Sequence, residues 1–243
     1  MIIITLYFVI NLSTFKSQPV NDVSPFWLDP CGTQNDEDTV LPDDVRQRVL
    51  IVAERNQQYF NQFKNQFVQN LVDNEFIKHY NTWSNLNNSW MPDDLPKIPG
   101  DHLSNSWLSK RSFPQELPIT YDILQRVSVG FEKLTDDTKK NNSYFEELST
   151  CKKYLRELLC EVKDAIYDME QEPLPDVQRE VMPDDVRHEE DEGRNNLLNS
   201  IIFRDYIIGI EYVIQTYRSF KLSDFMLQTL KFIIKILKIR VRF

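Results

Sequence analysis

Three cysteines, Cys31, Cys151 and Cys160, and three histidines, His79, His102 and His188, are the residues of this 243-residue chain whose types most readily do chemistry. The histidines are widely separated, with none at metal-ligand spacing from another and none beside a nucleophile motif. No GxSxG, HExxH, P-loop or dinucleotide fingerprint occurs. The run His188-Glu189-Glu190-Asp191-Glu192 has ligand-type residues, but runs of this kind are ordinarily solvated acidic loops. The expectation is a chain without catalytic residues, metal or cofactor, and so not an enzyme.

The cysteines carry more. Cys151 and Cys160 stand nine residues apart in one amphipathic segment. A helix separates them by roughly 13 Å of rise and puts them on opposite faces, so they cannot join each other. Cys31 must then be the partner of one of them. Cys151 falls in the apolar stripe with Leu148 and Leu155, whereas Cys160 falls among Lys153, Arg156, Glu157 and Asp164. An exposed thiol in an oxidising compartment is a liability, which favours Cys31 with Cys160 and leaves Cys151 a buried free thiol. The rival, Cys31 with Cys151, stays open and would leave Cys160 for an intermolecular bond.

Four helical segments must position these residues. Pro42, Asp43 and Asp44 suit a first turn, and Val45, Val49, Val52, Tyr59, Phe63 and Phe67 recur on one face, which predicts a helix over 43–80. A proline-punctuated connection over 81–116 holds Trp83, Trp90 and Trp107. Ile119, Ile123, Val127, Phe131 and Leu134 mark a second helix that ends at the polar TDDTKKNN. A short turn leads to a third, capped by Ser143 with Glu146 three residues on and running to about residue 171. Its stripe is Tyr144, Leu148, Cys151, Leu155, Leu159, Val162, Ile166 and Met169. After an acidic connection over 172–193, the sequence from Asn195 is apolar nearly all round, as in a helix at the centre of a bundle. A further helical stretch from Ser223 either extends it or packs beside it.

Long, short, long connections fit two parallel helices followed by two running the other way. The expected fold is therefore all-α: an up-up-down-down four-helix bundle over 42–243 with an extra C-terminal segment. The composition agrees, since 5 glycines leave few tight hairpins or phosphate loops. A formal charge of -9 argues against nucleic acid, which needs a basic face.

The first 17 residues have an uncharged apolar core from Ile2 to Leu12 followed by small and polar residues, which predicts a signal peptide and a secreted, extracellular product. Residues 18–41, with FWLDPCG, read as an extended arm. Sequons at Asn87 and Asn141 fit a glycoprotein. Lys110-Arg111, in a connection, has the form of a dibasic processing site. Residues 221–243 hold six basic and one acidic residue, net +5, with Lys231, Lys235, Lys238 and Arg242 along one stripe. That suits peripheral contact with an anionic membrane, or equally a basic outer face of a packed helix.

With YLRELLCEVKDAI in the third helix and FRDYIIGIEYVIQTY in the fourth, the chain resembles the long-chain helical cytokines, in tone the insect Unpaired ligands. The resemblance implies a monomeric secreted ligand that brings cell-surface receptor chains together and signals through receptor-associated kinases of the JAK/STAT type. Such a ligand uses helix faces and aromatic anchors. The candidates are Trp83, Trp90 and Trp107 in the first crossover, with Arg46, Glu54, Arg55 and Lys64 taken as outward residues of the first helix. Two other classes compete: a secreted helical carrier of an apolar ligand, and a membrane-active protein working through its basic C-terminus.

Overall fold

The computed structural model describes residues 24–32, 42–141 and 143–240, except the side chains of 42–44, 140, 141 and 221–240. The expected signal segment and most of the arm lie outside the described residues, as does the side-chain stripe of the basic C-terminus. The described residues are all-helical. They form α1 (Pro42–Phe60), α2 (Lys64–Val72), α3 (Phe76–Thr82), α4 (Asn105–Leu108), α5 (Phe113–Asn141), α6 (Phe145–Asp168), α7 (Asp184–Arg187) and α8 (Glu192–Arg240), with a 3-10 turn at Arg179–Val181.

The expected single helix over 43–80 is three helices. Between α1 and α2 the amides of Gln62 and Phe63 bond back to Tyr59 and Phe60, three residues away, which tightens the backbone into a turn. Asp73 then caps α2 in the left-handed conformation, φ 48°, a state that aspartate tolerates better than most residues. The second expected helix also differs, since α5 continues through TDDTKKN to Asn141. Its polar residues are satisfied inside the helix: Lys139 pairs with Asp136, and the hydroxyl of Thr138 donates to Leu134 O. Ile119, placed in the core stripe by spacing, is exposed, and Leu117, Thr120, Tyr121 and Leu124 take the inner face instead.

Ser143 does not cap α6. Tyr144 occupies that position with φ 59° and no side-chain cap bond. Its ring stacks on Phe63 at 6.2 Å and meets Phe67 edge-on at 5.5 Å, and that aromatic burial holds the strained backbone. Beyond it the stripe from Leu148 through Cys151, Leu155, Leu159 and Val162 to Ile166 is buried as the spacing demands.

Contacts give each pairing its direction. On α1, Arg48 reaches Asp168 and Glu161 of α6, Arg55 reaches Glu157, and Tyr59 packs on Tyr154. Rising numbers meet falling ones, so α1 and α6 are antiparallel. Against α8, Arg46 donates to Tyr217 O and Phe60 meets Tyr206, again antiparallel, and Phe67 of α2 continues the run by meeting Phe203. On α5, Phe113 meets Tyr217, Phe131 meets Tyr206 and Lys133 reaches Asn195, antiparallel to α8 once more. The crossing of α5 with α8 is close: a Cβ on Gly209 would stand 2.9 Å from Val127 Cγ2, and one on Gly130 3.2 Å from Ile202 Cγ2. Both glycines sit mid-helix, where each costs about 1 kcal/mol against alanine, and close packing is what they gain.

A strap completes the body. Residues 24–32 lay Phe26, Trp27, Leu28 and Pro30 across α5 and α6. Trp27 is wholly buried, its indole nitrogen donates to Val177 O at 2.8 Å, and its own carbonyl accepts from Tyr121 and Gln125. Arg156 donates to Pro30 O, and Lys152 lies over the Phe26 ring. The strap ends at the pair Cys31–Cys160, with Cα atoms 4.9 Å apart. Cys151 is free and buried, and burial pushes its thiol up to about 12, where it stays protonated and inert. As for α8, it runs without a break from Glu192 to Arg240, so the segment after Ser223 extends the fourth long helix.

Candidate functional site

The seven residues expected to meet a receptor do not form one constellation. Arg46 and Trp90 are buried, 3% and 4% exposed, and so cannot be outward contacts. Arg46 faces α8 because its position follows Val45 onto the inner edge of α1, where Tyr217 O receives it. Trp90 closes over α5, its carbonyl accepting from Arg126 at 3.0 Å and its ring lying beside Gly130. Trp107 is half-buried, edge-on to Tyr212 and stacked under Arg111 at 3.8 Å. Glu54 pairs with Arg218 of α8 at 2.9 Å.

Lys64 lies over the rings of Phe60 and Phe76 at 5.9 and 5.1 Å, and burial lowers its ammonium pKa against an opposing pull from Glu211. Arg55 stays open, paired with Glu157 and stacked on Tyr154 at 4.7 Å. Trp83 is the one exposed tryptophan of the three in the crossover. Between Arg48 and Arg55, one turn from each, Ile51 is 54% exposed, an apolar residue that lies off the periodic stripe of α1. Arg48 and Arg55 with Glu157, Glu161 and Asp168 make a charged seam along α1 and α6, with Ile51 standing out of it.

Two of the remaining motifs are bound into the fold. Arg111 of the dibasic pair donates to Glu116 at 2.8 Å, and Glu116 also accepts from Tyr212. Burial raises the Glu116 carboxyl, and Tyr212 and Arg111 partly offset it. Asn87 of the first sequon is exposed, while the adjacent Asn88 is buried and donates to Asp205 at 2.7 Å. Asn141 is the last residue of α5, and its side chain lies outside the described residues.

A buried polar cluster ties the first crossover to α8, and composition gave no sign of it. Arg204 grips Asp205 through Nε and Nη2 at 3.0 and 2.8 Å, while its Nη1 donates to the carbonyls of Trp83 and Leu86. Beside it, His79 Nε2 lies 2.8 Å from Ser200 Oγ. That distance is the spacing of a nucleophile and its base. The serine proton, however, goes to Leu197 O at 2.6 Å, so the serine accepts from the imidazole N–H and both side chains are enclosed. Among the described residues one group of metal-ligating type gathers within 4.8 Å, Cys31, Cys160 and Asp164. Its sulfurs are joined to each other, and a disulfide sulfur is not a thiolate ligand.

No helix among the described residues is long and apolar enough to cross a membrane. No protein-family model, no curated protein and no solved structure matches this chain.

Proposed function

We propose that α1, α5, α6 and α8 form an up-up-down-down bundle and that the chain is a secreted, cytokine-like ligand for cell-surface receptors. The observation that carries this reading is the order of directions and connections. α1 runs antiparallel to α6 and α8, and α5 antiparallel to α8, while fifty-two residues separate α1 from α5, three separate α5 from α6 and twenty-three separate α6 from α8. Two long overhand crossovers around one short turn are what that topology requires. The disulfide-distance pair Cys31–Cys160 fits an oxidising compartment, in keeping with the apolar N-terminal segment.

In this reading the receptor meets the α1–α6 seam through Ile51 and Arg55, and Trp83 is a second anchor on the first crossover. Arg46 and Trp90 have no part in it. The testing experiment treats insect cells carrying a receptor-kinase transcription reporter with the purified protein over a dilution series, with and without a kinase inhibitor. Saturable, inhibitor-sensitive activation at nanomolar dose supports the reading. Folded protein that is silent across several cell types overturns it.

A further inference from the structure

The turn that follows α3 is held from beneath. The amide of Leu86 donates to Trp83 O at 3.0 Å, and Arg204 Nη1 donates to both Trp83 O and Leu86 O, at 3.3 and 2.8 Å. Just beyond, Asn88 Nδ2 reaches Asp205 Oδ2 at 2.7 Å, and Arg204 grips that same carboxylate. The residues on either side of Asn87 are therefore tied to one buried ion pair on α8. Burial alternates along this stretch: Asn88 and Trp90 are buried, while Asn87 and Ser89 are exposed.

Asn87-Asn88-Ser89 has the form that N-glycosylation requires, an asparagine with a hydroxyl residue two places on and no proline between. The stretch from Leu86 to Asn88 lies outside any helix, on the surface, where such acceptors stand. Asn88 spends its amide on Asp205, and the outward amide of Asn87 is the one left for a sugar. Two large apolar side chains also meet water within four residues of it, Trp83 at 39% exposure and Leu86 at 41%. A turn brings Cα atoms three residues apart to within about 7 Å, so the Trp83 ring stands near the root of anything attached to Asn87. Sugars carry hydroxyls at their edges and C–H groups on their faces, and an aromatic ring packs against such a face.

We propose that Asn87 carries an N-linked oligosaccharide whose first sugars lie over Trp83 and Leu86. The donor is an oligosaccharide joined through diphosphate to a lipid. The Asn87 amide nitrogen forms a bond to C1 of the first sugar, the bond from C1 to the phosphate oxygen breaks, the amide gives up one proton, and the lipid diphosphate leaves. Ser89 supplies the hydroxyl that the transferring enzyme recognises. The fold accommodates the sugar without rearrangement, because Asn87 is exposed and its anchored neighbours keep their bonds. A sugar on Asn88 would instead break the bond to Asp205. Trp83 is also the second anchor of the receptor reading, on which one consequence rests: sugar and receptor compete for the same ring.

The full chain is expressed in insect cells and recovered from the medium and from microsomes. Peptide-N-glycosidase A acting on its peptides in 18O water should convert Asn87 to aspartate carrying the heavy oxygen, read by mass spectrometry. The conversion should vanish in Asn87→Gln and in Ser89→Ala, a change that leaves the acceptor in place. Acrylamide quenching of tryptophan fluorescence should be roughly two-fold stronger in both variants than in the glycosylated wild type, and equal in all three once Trp83→Phe is added. In the receptor-kinase reporter, Ser89→Ala should act at a lower dose than the wild type, and equal doses would overturn the competition. The proposal is overturned by an unmodified Asn87 in both fractions, by conversion that persists in Ser89→Ala, or by quenching that is the same with and without the sugar. A reporter silent to every form counts against the receptor reading alone, because the mass spectrum and the quenching judge the sugar without it.

Discussion

The indole nitrogen of Trp27 donates to the carbonyl oxygen of Val177 across 150 residues of chain, at 2.8 Å and out of contact with water. This bond joins the N-terminal strap to the crossover before α8, over the faces of α5 and α6. Trp27→Ala opens a large cavity and strips that carbonyl, with an expected loss of about 3–5 kcal/mol. Trp27→Phe keeps most of the volume and loses the donor, for about 1–2 kcal/mol. Denaturant unfolding followed by far-UV circular dichroism separates the two, and an unchanged midpoint in the alanine variant would refute the strap's role.

Gly209 places α8 against Val127. Alanine there gains helix propensity of about 1 kcal/mol but sets a methyl 2.9 Å from a β-branched side chain that has little freedom to move. The clash wins, with a net destabilisation of about 1–3 kcal/mol. Val127→Ala restores much of it in the double variant, so a thermal-melt cycle of the two changes should show coupling. Gly130→Ala is milder, because Ile202 stands at 3.2 Å and can give way.

Arg204 and Asp205 are both enclosed, and burial raises the aspartate's pKa while Arg204 and Asn88 pull it back. Arg204→Met leaves the carboxylate unpaired and should cost about 3–5 kcal/mol. Arg204→Met with Asp205→Asn should cost clearly less than the two single changes added together. Additive losses in urea melts would mean that the pair is uncoupled.

The cysteines are tested by chemistry. Non-reduced peptide mapping should recover Cys31 joined to Cys160, and Cys151 should resist iodoacetamide until the chain unfolds. Removing the bond with Cys31→Ser/Cys160→Ser should cost about 2–5 kcal/mol. A Cys31–Cys151 peptide would overturn the pairing.

His79 gives a pH signature. Burial, with the nearby Arg204 second, lowers its pKa from 6.5, so the unfolded chain takes up a proton at a higher pH than the folded one. Its contribution to stability is therefore complete above about 6.5 and is lost as pH falls through the window between that value and the lower folded one. The difference in unfolding free energy between the wild type and His79→Gln should shrink as pH drops from 7.5 towards 5, about neutral to acidic for a histidine. A constant difference would show that His79 does not titrate on unfolding.

The sequence by itself determined the helical class and the long, short, long order of the connections. It also settled that Cys151 and Cys160 face apart, because each of these is a matter of local periodicity. An apolar residue every third or fourth position obliges a helix to bury one side whatever lies opposite. The third-helix stripe from Leu148 to Ile166 was legible for that reason. What spacing cannot supply is which face meets which. Tertiary structure alone broke the 43–80 helix where Phe63 and Tyr144 stack. It also drew Arg46 and Trp90 inward, though their residue types suggested the surface, by offering Tyr217 O to one and a seat on α5 to the other. Trp27, the strap's anchor, sat unremarked in an irregular stretch. Such contacts depend on the packing of whole helices, and a one-dimensional pattern records only the side each helix must hide.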